Sequence, residues 1–162
     1  MKFFEPTILY DRLNGDKYYA PWYARWIIKT LHKDVVDIRN FLKPFNLCPN
    51  IVLPPDPTEW DKALGALGWV KNNINFIPDN TEHWQTPHET LQKASGDCED
   101  GAILIANIMM CLGLEDVRIL AGTTGKGVGH AVVSYKEVRY DWTQSEPIVK
   151  KWFEFSSERV WV

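Results

Sequence analysis

The chain has 162 residues, of which 45% are hydrophobic and 24% are charged, and its formal net charge is -3. This length forms one domain with a sizeable core, and the sequence shows no basic footprint of the kind that nucleic-acid binding produces. Because no apolar run reaches the roughly 18 residues of a membrane-spanning helix and Met1–Pro6 carries no signal-peptide pattern, we expect a cytoplasmic protein that contacts neither nucleic acid nor a membrane.

The first predicted elements are helical. Apolar side chains recur at helical spacing from Trp22 to Phe45, with a break at Lys33-Asp34. A proline-rich linker follows, over residues 49–57. We therefore predict one domain, residues 1–162, with a helical N-terminal extension over residues 1–55 and a core over residues 56–162.

The core begins with a predicted helix from Thr58 to about Asn72. Asp56 is the expected N-cap of this helix, and Pro57 suits its first helical position because proline lacks the backbone donor that this position leaves unused. Residues 74–77 predict a short strand.

The next segment predicts a buried helix with a cysteine at its tip. Asp97 is a suitable N-cap, the acidic pair Glu99-Asp100 suits the first turn, and Gly113 is a suitable stop signal. The interior is apolar on nearly every side, which is typical of a helix enclosed by a core. We predict a helix over about 97–112, and we expect the helix N-terminus to lower the pKa of the Cys98 thiol.

A strand over residues 117–122 and a hairpin follow. The glycine-rich stretch 122–129 lacks the Ser or Thr that a phosphate-binding loop carries after its lysine, so we predict a mobile loop that leads to His130. Alternating residues over 130–135 and 138–142 predict two strands joined by a turn at Lys136-Glu137. This register puts His130 and Asp141 on one face as diagonal neighbours, with their Cβ atoms somewhat closer than about 7–8 Å.

The C-terminus is apolar. Residues 152–155 and Val160-Trp161-Val162 predict a final pair of strands. Because exposing such side chains would lose roughly 25 cal/mol per Å² of burial, the end of the chain must be buried, either in the fold or in an assembly with a partner.

The order Cys98, His130, Asp141 predicts a thiol catalytic triad. An isolated cysteine beside an apolar helix is usually a small packing residue, and we interpret Cys48 and Cys111 in that way because neither has a base in a recognisable relation to it. For Cys98, the helix tip and the ordered histidine and aspartate favour catalysis. An odd number of cysteines without paired spacing fits a reducing compartment.

Two motifs carry a family resemblance. The segments Trp84–Leu91 and Gly96–Asp100 resemble the signature of bacterial transglutaminase-like cysteine proteinases, within the transglutaminase-like, papain-like superfamily. The similarity runs from about Trp69 to Thr143. It implies an α+β papain-like fold in which the helix of the catalytic cysteine packs on an antiparallel sheet, with a helical N-terminal part and a catalytic core over residues 56–162.

The resemblance also implies roles. Cys98 corresponds to the nucleophile, His130 to the general base and acid, and Asp141 to the residue that orients the imidazole. An oxyanion hole is needed as well, and the first donor is the backbone N–H of Cys98. The second donor is either the indole of Trp84 or the amide of Gln85, and the sequence leaves this choice open.

Some members of the family depend on calcium, which acidic residues beside the cysteine help to hold. The matching positions are Asp97 and Glu99, with Asp100 adjacent, and their hard oxygen ligands suit calcium. The alternative is that Asp97 caps the helix while Glu99 and Asp100 complement its dipole. We favour this second interpretation, under which no cofactor is required, although the motif also permits calcium.

The expected function is thiol-dependent amide hydrolysis, first of all proteolysis, with a protein or peptide substrate. A transglutaminase would form the same acyl-enzyme and differ only in the nucleophile that resolves it. A third alternative is a binding or structural module without catalysis, for example a component of a phage particle. That alternative would make the chain virion-associated.

Overall fold

The computed structural model describes residues 7–10, 17–20, 38–43, 48–78 and 83–161. None of the helices in these ranges is long and apolar enough to span a membrane. The helices are α1 (Glu59–Asn73), α2 (Pro87–Lys93) and α3 (Cys98–Cys111), with a 3-10 helix at Ile38–Leu42. The strands are β1 (Thr7–Tyr10), β2 (Lys17–Ala20), β3 (Asn75–Phe76), β4 (Ser95–Gly96), β5 (Arg118–Thr124), β6 (Gly129–Tyr135), β7 (Val138–Tyr140), β8 (Ile148–Phe155) and β9 (Val160–Trp161).

A five-stranded antiparallel sheet forms one layer of the domain, in the order β7-β6-β5-β8-β9. β1 pairs with β2, and β3 pairs in parallel with β4, which leads directly into α3. The core lies where α3 packs against β6 and β5, and α1 and α2 pack against other sides of α3. The predicted arrangement of a cysteine-bearing helix on an antiparallel sheet is confirmed.

Helix α3 is the centre of this core, as its composition predicts. Residues 99–109 are all buried, and Ile103, Leu104, Ile105 and Ile108 have no exposed surface. Asp97 is the N-cap residue, and Gly113 follows the helix with φ of +92°, a left-handed conformation that glycine adopts without steric cost. Both predicted ends of the helix therefore lie within about one residue of the observed ends.

The start of α1 differs from the prediction. Thr58, not Asp56, is the N-cap, because its hydroxyl accepts a hydrogen bond from the Asp61 amide while Asp61 Oδ2 accepts one from the Thr58 amide at 2.8 Å. This reciprocal capping box satisfies two of the amides that a helix start leaves without partners. Pro57 therefore precedes the helix and does not occupy its first turn.

The hairpin of β6 and β7 has the predicted turn, with Tyr135 paired with Val138. Lys136 and Glu137 both have positive φ, 47° and 66°, as the twist of a two-residue hairpin requires. The pairing ends at Tyr140, so Asp141 lies just beyond the last pair of the hairpin.

The glycine-rich stretch is mostly strand and tight turn, which corrects the expectation of a mobile loop. Residues 122–124 belong to β5, and β6 already begins at Gly129. Between them the Thr124 amide donates to the Val128 carbonyl at 2.8 Å, and the Gly127 amide donates to the Thr124 carbonyl at 2.9 Å. The short connection therefore fixes the position at which His130 enters the sheet.

The predicted N-terminal helices over residues 22–45 lie largely outside the described residues. Of that segment, Ile38–Leu42 forms the 3-10 helix, which packs on α3. Asn107, buried in the middle of α3, donates from Nδ2 to the Phe41 carbonyl at 2.8 Å and thereby ties this segment to the core. At the other end of the chain, Val160 is buried in the core and the Trp161 ring lies 3.9 Å from the Arg118 guanidinium carbon.

Candidate active site

The sequence-predicted nucleophile lies at the first residue of α3. Strand β4 enters the helix through Asp97, and β4 is itself fixed to β3, since the Ile77 amide donates to the Gly96 carbonyl at 2.9 Å. Cys98 is half-buried, while the helix behind it is fully enclosed. The thiol is therefore held on a rigid element at the edge of the core.

Among the described residues, Glu99 and Ala131 form hydrogen bonds with the Cys98 sulfur. The thiol donates to Glu99 Oε2 at 3.1 Å, and the backbone amide of Ala131 donates to the sulfur. Burial raises the pKa of Cys98 well above its usual range, and the Glu99 and Asp97 carboxylates add to this rise, against a smaller opposite effect of the Ala131 amide. The predicted lowering of this pKa is therefore wrong, because burial and the two carboxylates raise it.

His130 and Asp141 form a close pair. His130 is buried on β6, and its Nε2 lies 2.7 Å from Asp141 Oδ2, just beyond the end of β7. The other carboxylate oxygen, Oδ1, accepts from the Thr143 amide at 2.9 Å and from the Thr143 hydroxyl at 2.8 Å. Burial alone would raise the pKa of Asp141, but the hydrogen bonds from His130 and Thr143 outweigh it and hold this pKa below its usual value.

The structure brings Cys98 close to this pair without joining them directly. Ala131, whose amide reaches the Cys98 sulfur, is the residue after His130. Because Asp141 occupies Nε2 of the His130 ring, Nδ1 is the nitrogen available to a thiol. No hydrogen bond between the Cys98 sulfur and the His130 ring occurs among the described residues, where the thiol proton is directed to Glu99 instead.

Asp100 connects two loops of the site. Its Oδ1 accepts from the Gln85 amide at 2.7 Å, and its Oδ2 accepts from the Asp97 amide at 3.1 Å. Burial, followed by the charge of Asp97, raises the pKa of Asp100 to about 7, although the two amide hydrogen bonds act in the opposite direction. Asp100 thus holds the segment before α2 against the start of α3.

The predicted calcium ligands separate into two groups. One ligand atom each from Asp97, Cys98 and Glu99 lies within 4.8 Å of the others, a spacing that one cation could bridge. Asp100 is not in this group, and its two oxygens are directed to the backbone amides of Gln85 and Asp97. Glu99 is buried, and burial raises its pKa because it disfavours the carboxylate. A hard cation bound here would favour the ionised form instead.

The two oxyanion-hole candidates have different surroundings. Trp84 is only 3% exposed, and its ring packs in the core against Phe41, Phe153 and Phe155, with centroids 5.9 to 6.4 Å away. This packing favours a core role for Trp84. Gln85 is also buried, and the Thr90 hydroxyl donates to its Oε1 at 3.2 Å, which fixes the orientation of the side-chain amide.

The structure adds a residue that the sequence analysis did not single out. The indole nitrogen of Trp142 donates to the Cys98 carbonyl at 3.2 Å, and Trp142 directly follows Asp141 in the chain. The signal available in the sequence was this adjacency, because one peptide unit separates Trp142 from a candidate triad member. Trp142 is 7% exposed.

The two remaining cysteines contact each other, although they are 63 positions apart in the sequence (111 − 48). Partial burial of the sulfur, followed by a hydrogen bond with Cys111 and the charge of Cys111, raises the pKa of Cys48 to about 12. Cys48 is exposed and Cys111 is half-buried, at the last residue of α3. The interpretation of Cys48 as a packing residue is therefore wrong, and both thiols lie at the end of α3 opposite Cys98.

Sequence comparison relates the second half of the chain to a known domain. Residues 82–160 match the family model of the CEP76 peptidase-like domain. Over 77 residues, the chain is 32% identical to the centrosomal protein of 76 kDa from Homo sapiens and to that from Pongo abelii. This match covers 48% of the chain and 12% of each relative, so it concerns a small part of a much longer protein.

Solved structures with the same fold come from bacteria. LapG of Legionella pneumophila superposes with a TM-score of 0.58 at 20% identity, over 66% of this chain and 70% of that one, and its calcium-bound form gives the same values. A protein from Cytophaga hutchinsonii that is provisionally assigned as a cysteine protease gives a TM-score of 0.54 at 19% identity, over 79% of this chain and 49% of that one. The chain therefore has the papain-like, transglutaminase-like fold.

Proposed function

We propose that the chain is a thiol-dependent amide hydrolase, in the first place a cysteine protease, with Cys98 as nucleophile. The observation that carries the proposal is the 2.7 Å hydrogen bond between His130 and Asp141, one residue away from the Ala131 amide that reaches the Cys98 sulfur. A buried histidine oriented by a carboxylate, beside a thiol at a helix start, is the arrangement that acyl transfer uses.

In the proposed acylation step, Nδ1 of His130 takes the thiol proton of Cys98. The sulfur then attacks the carbonyl carbon of a peptide bond, and the carbonyl electron pair moves to the oxygen. When the tetrahedral intermediate collapses, His130 returns its proton to the leaving amine. Asp141 keeps its negative charge throughout and stabilises the imidazolium that forms between the two proton transfers.

The negative oxygen of the intermediate needs donors. We propose the Cys98 amide and the side-chain amide of Gln85, because Thr90 holds the Gln85 oxygen and leaves its nitrogen free to donate elsewhere. Each such donor contributes on the order of 3 kcal/mol to the transition state. Water then attacks the thioester with His130 as base, which releases the acid and restores the Cys98 thiol.

The proposal includes calcium at Asp97 and Glu99. Two carboxylates crowded beside a thiol form a donor set that suits a hard cation, and the calcium-bound form of LapG shares this fold. When bound, calcium supplies positive charge that favours the ionised form of the neighbouring groups. Without a cation, Glu99 accepts a hydrogen bond from the Cys98 thiol and opposes its ionisation.

A second candidate is a binding module without catalysis. The observation in its favour is that the thiol donates to Glu99 and not to His130. A module of this kind would use the cleft around Cys98 to hold a protein segment and would not need the thiolate. It differs from the first candidate in one respect that can be measured, namely whether Cys98 forms an acyl-enzyme.

The test is a screen of fluorogenic peptide amides and acyl-donor proteins against the calcium-loaded protein, with Cys98→Ala in parallel. We expect Cys98-dependent release of the amine, and a loss of about a hundredfold or more in turnover for Gln85→Ala, with Gln92→Ala on the exposed face of α2 unchanged. Release of ammonia together with incorporation of an added amine would identify transglutaminase activity instead. Equal signals from the wild type and Cys98→Ala would contradict both.

A further inference from the structure

We propose that Trp142 is a positioning residue that holds the backbone of Cys98 in register with the His130–Asp141 pair. This inference rests on the proposed function, because it concerns the distance between the nucleophile and its base. The hydrogen bond that carries it joins Trp142 Nε1 to the Cys98 carbonyl oxygen at 3.2 Å.

The carbonyl of Cys98 can accept this additional hydrogen bond. In the first turn of a helix, each carbonyl accepts from the amide four residues later, and that bond uses one of its two lone pairs. The indole of Trp142 takes the second, and Trp142 is 7% exposed, so water competes weakly for the same position. The contact therefore anchors the nucleophile residue through its main chain and does not involve the sulfur.

Asp141, the residue before Trp142, binds His130. Asp141 contacts His130 at 2.7 Å and is itself held by the amide and hydroxyl of Thr143. Successive Cα atoms are about 3.8 Å apart across one planar peptide unit. A single peptide unit, between residues 141 and 142, thus links the carboxylate that orients His130 to the indole that holds Cys98.

The surface of α3 is shaped to receive this indole. A Cβ atom at Gly101 would lie 2.1 Å from Cε2 and from Nε1 of Trp142, so the ring can approach the helix this closely only because residue 101 is glycine. Gly101 is three residues after Cys98 and therefore lies on the same side of the helix. The half-exposed Phe76 covers the ring edge to face, with centroids 5.6 Å apart.

These contacts predict that the effect of Trp142 on the reactivity of Cys98 depends on His130. A residue that only packs in the core would not show this dependence. Trp142→Phe keeps a ring against Gly101 but removes the donor to the Cys98 carbonyl. We expect iodoacetamide to alkylate Cys98 about tenfold more slowly at neutral pH, since a hydrogen bond of this kind is lost. At high pH, where the thiol ionises without His130, the rate of the variant should equal that of the wild type.

The experiment is a double-mutant cycle in calcium-containing buffer, read by peptide mass spectrometry. If Trp142 acts through the thiol–imidazole distance, Trp142→Phe added to His130→Ala changes the Cys98 rate by less than about twofold, because the coupling is already lost. The matched control is Trp161→Phe, which removes an indole from the opposite edge of the sheet, where the ring contacts Arg118. Circular dichroism verifies that each variant is folded. A second variant, Gly101→Ala, displaces the indole from the side of the helix.

The outcomes separate this inference from the proposed function. A wild-type Cys98 whose alkylation depends on His130, together with a Trp142→Phe variant that behaves like the wild type, would overturn the inference alone. Equal slowing of the His130-containing and His130→Ala proteins by Trp142→Phe would also overturn it. If His130→Ala has no effect on Cys98 in the wild-type background, the proposed function fails first.

Discussion

Glu99 Oε2 lies 3.1 Å from the sulfur of Cys98, so the residue after the candidate nucleophile accepts a hydrogen bond from its thiol. Both residues lie in the first turn of a buried helix, where a thiolate would face a carboxylate and low solvent exposure at once. The described state is therefore one in which the thiol is protonated and directed away from His130. Under the proposed function, we expect the thiol to ionise more readily when the charge of Glu99 is neutralised.

The first prediction concerns Glu99 itself. Glu99→Gln removes a negative charge beside the sulfur and should lower the pKa of Cys98, because that charge is among the causes that raise it. We expect Cys98 to be alkylated several-fold faster at neutral pH in EGTA, with the rate profile moved to lower pH. Glu137→Gln in the exposed hairpin turn is the control for a general charge effect. An unchanged profile in Glu99→Gln would show that this carboxylate does not control the thiol.

The second prediction concerns calcium. If Asp97 and Glu99 bind the ion, calcium should stabilise the folded state by RT ln(1 + [Ca]/Kd) and so raise the melting temperature. It should also accelerate Cys98 alkylation, and EGTA should reverse both effects. Asp97→Asn should weaken both responses, whereas Asp116→Asn, which removes an exposed carboxylate beside Arg118, should retain them. Identical melting curves in calcium and EGTA would contradict the site.

The third prediction is the pH dependence that Asp141 gives to stability. Its pKa in the folded state lies below the ordinary value of 3.8, because hydrogen bonds from His130 and Thr143 outweigh the effect of burial. The stabilisation is therefore complete above pH values near 4, the ordinary pKa of the unfolded chain. It is lost as the pH falls through the lower pKa that Asp141 has in the folded state. In urea titrations between pH 6 and 3, the wild type should lose more stability than Asp141→Asn. Parallel curves would mean that the pair does not stabilise the fold.

The fourth prediction uses two glycines in helices. Gly101→Ala would put a Cβ atom 2.1 Å from Trp142, and such overpacking should lower the free energy of unfolding by about 1–3 kcal/mol. Gly68→Ala on α1 meets no atom within 4 Å, so it should raise stability by up to about 1 kcal/mol through helix propensity. Urea denaturation measures both. A Gly101→Ala protein as stable as the wild type would show that the indole moves aside freely.

Much of the scaffold could be predicted from local patterns. The apolar interior of α3, its Asp97 and Gly113 ends, and the turn at Lys136-Glu137 follow from periodicity and capping, which act over a few residues. The fold class followed from the motif around Cys98. The N-cap of α1 was wrong by two residues because Asp56 and Thr58 are both good caps, and only the reciprocal bond to Asp61 favours Thr58.

The chemistry of the site was less accessible, because it depends on contacts between distant segments. The pKa of Cys98 was expected to fall, since a helix N-terminus is visible in the sequence while the depth of burial and the rotamer of Glu99 are not. The contact of Trp142 with Cys98 spans 44 positions, and that of Cys48 with Cys111 spans 63 (111 − 48). Sequence spacing alone does not reveal such pairs.

The most direct test of the proposed triad is the rate at which iodoacetamide alkylates each cysteine in calcium-containing buffer, in the wild type and in His130→Ala. Cys48 and Cys111 serve as internal references at the far end of α3, and the pKa of Cys48, raised to about 12, should make it slow. We predict that Cys98 reacts fastest at neutral pH and that His130→Ala slows it by about a hundredfold or more, while the references stay unchanged. A Cys98 that reacts no faster than Cys111, with or without His130, would contradict the catalytic proposal and favour the binding module.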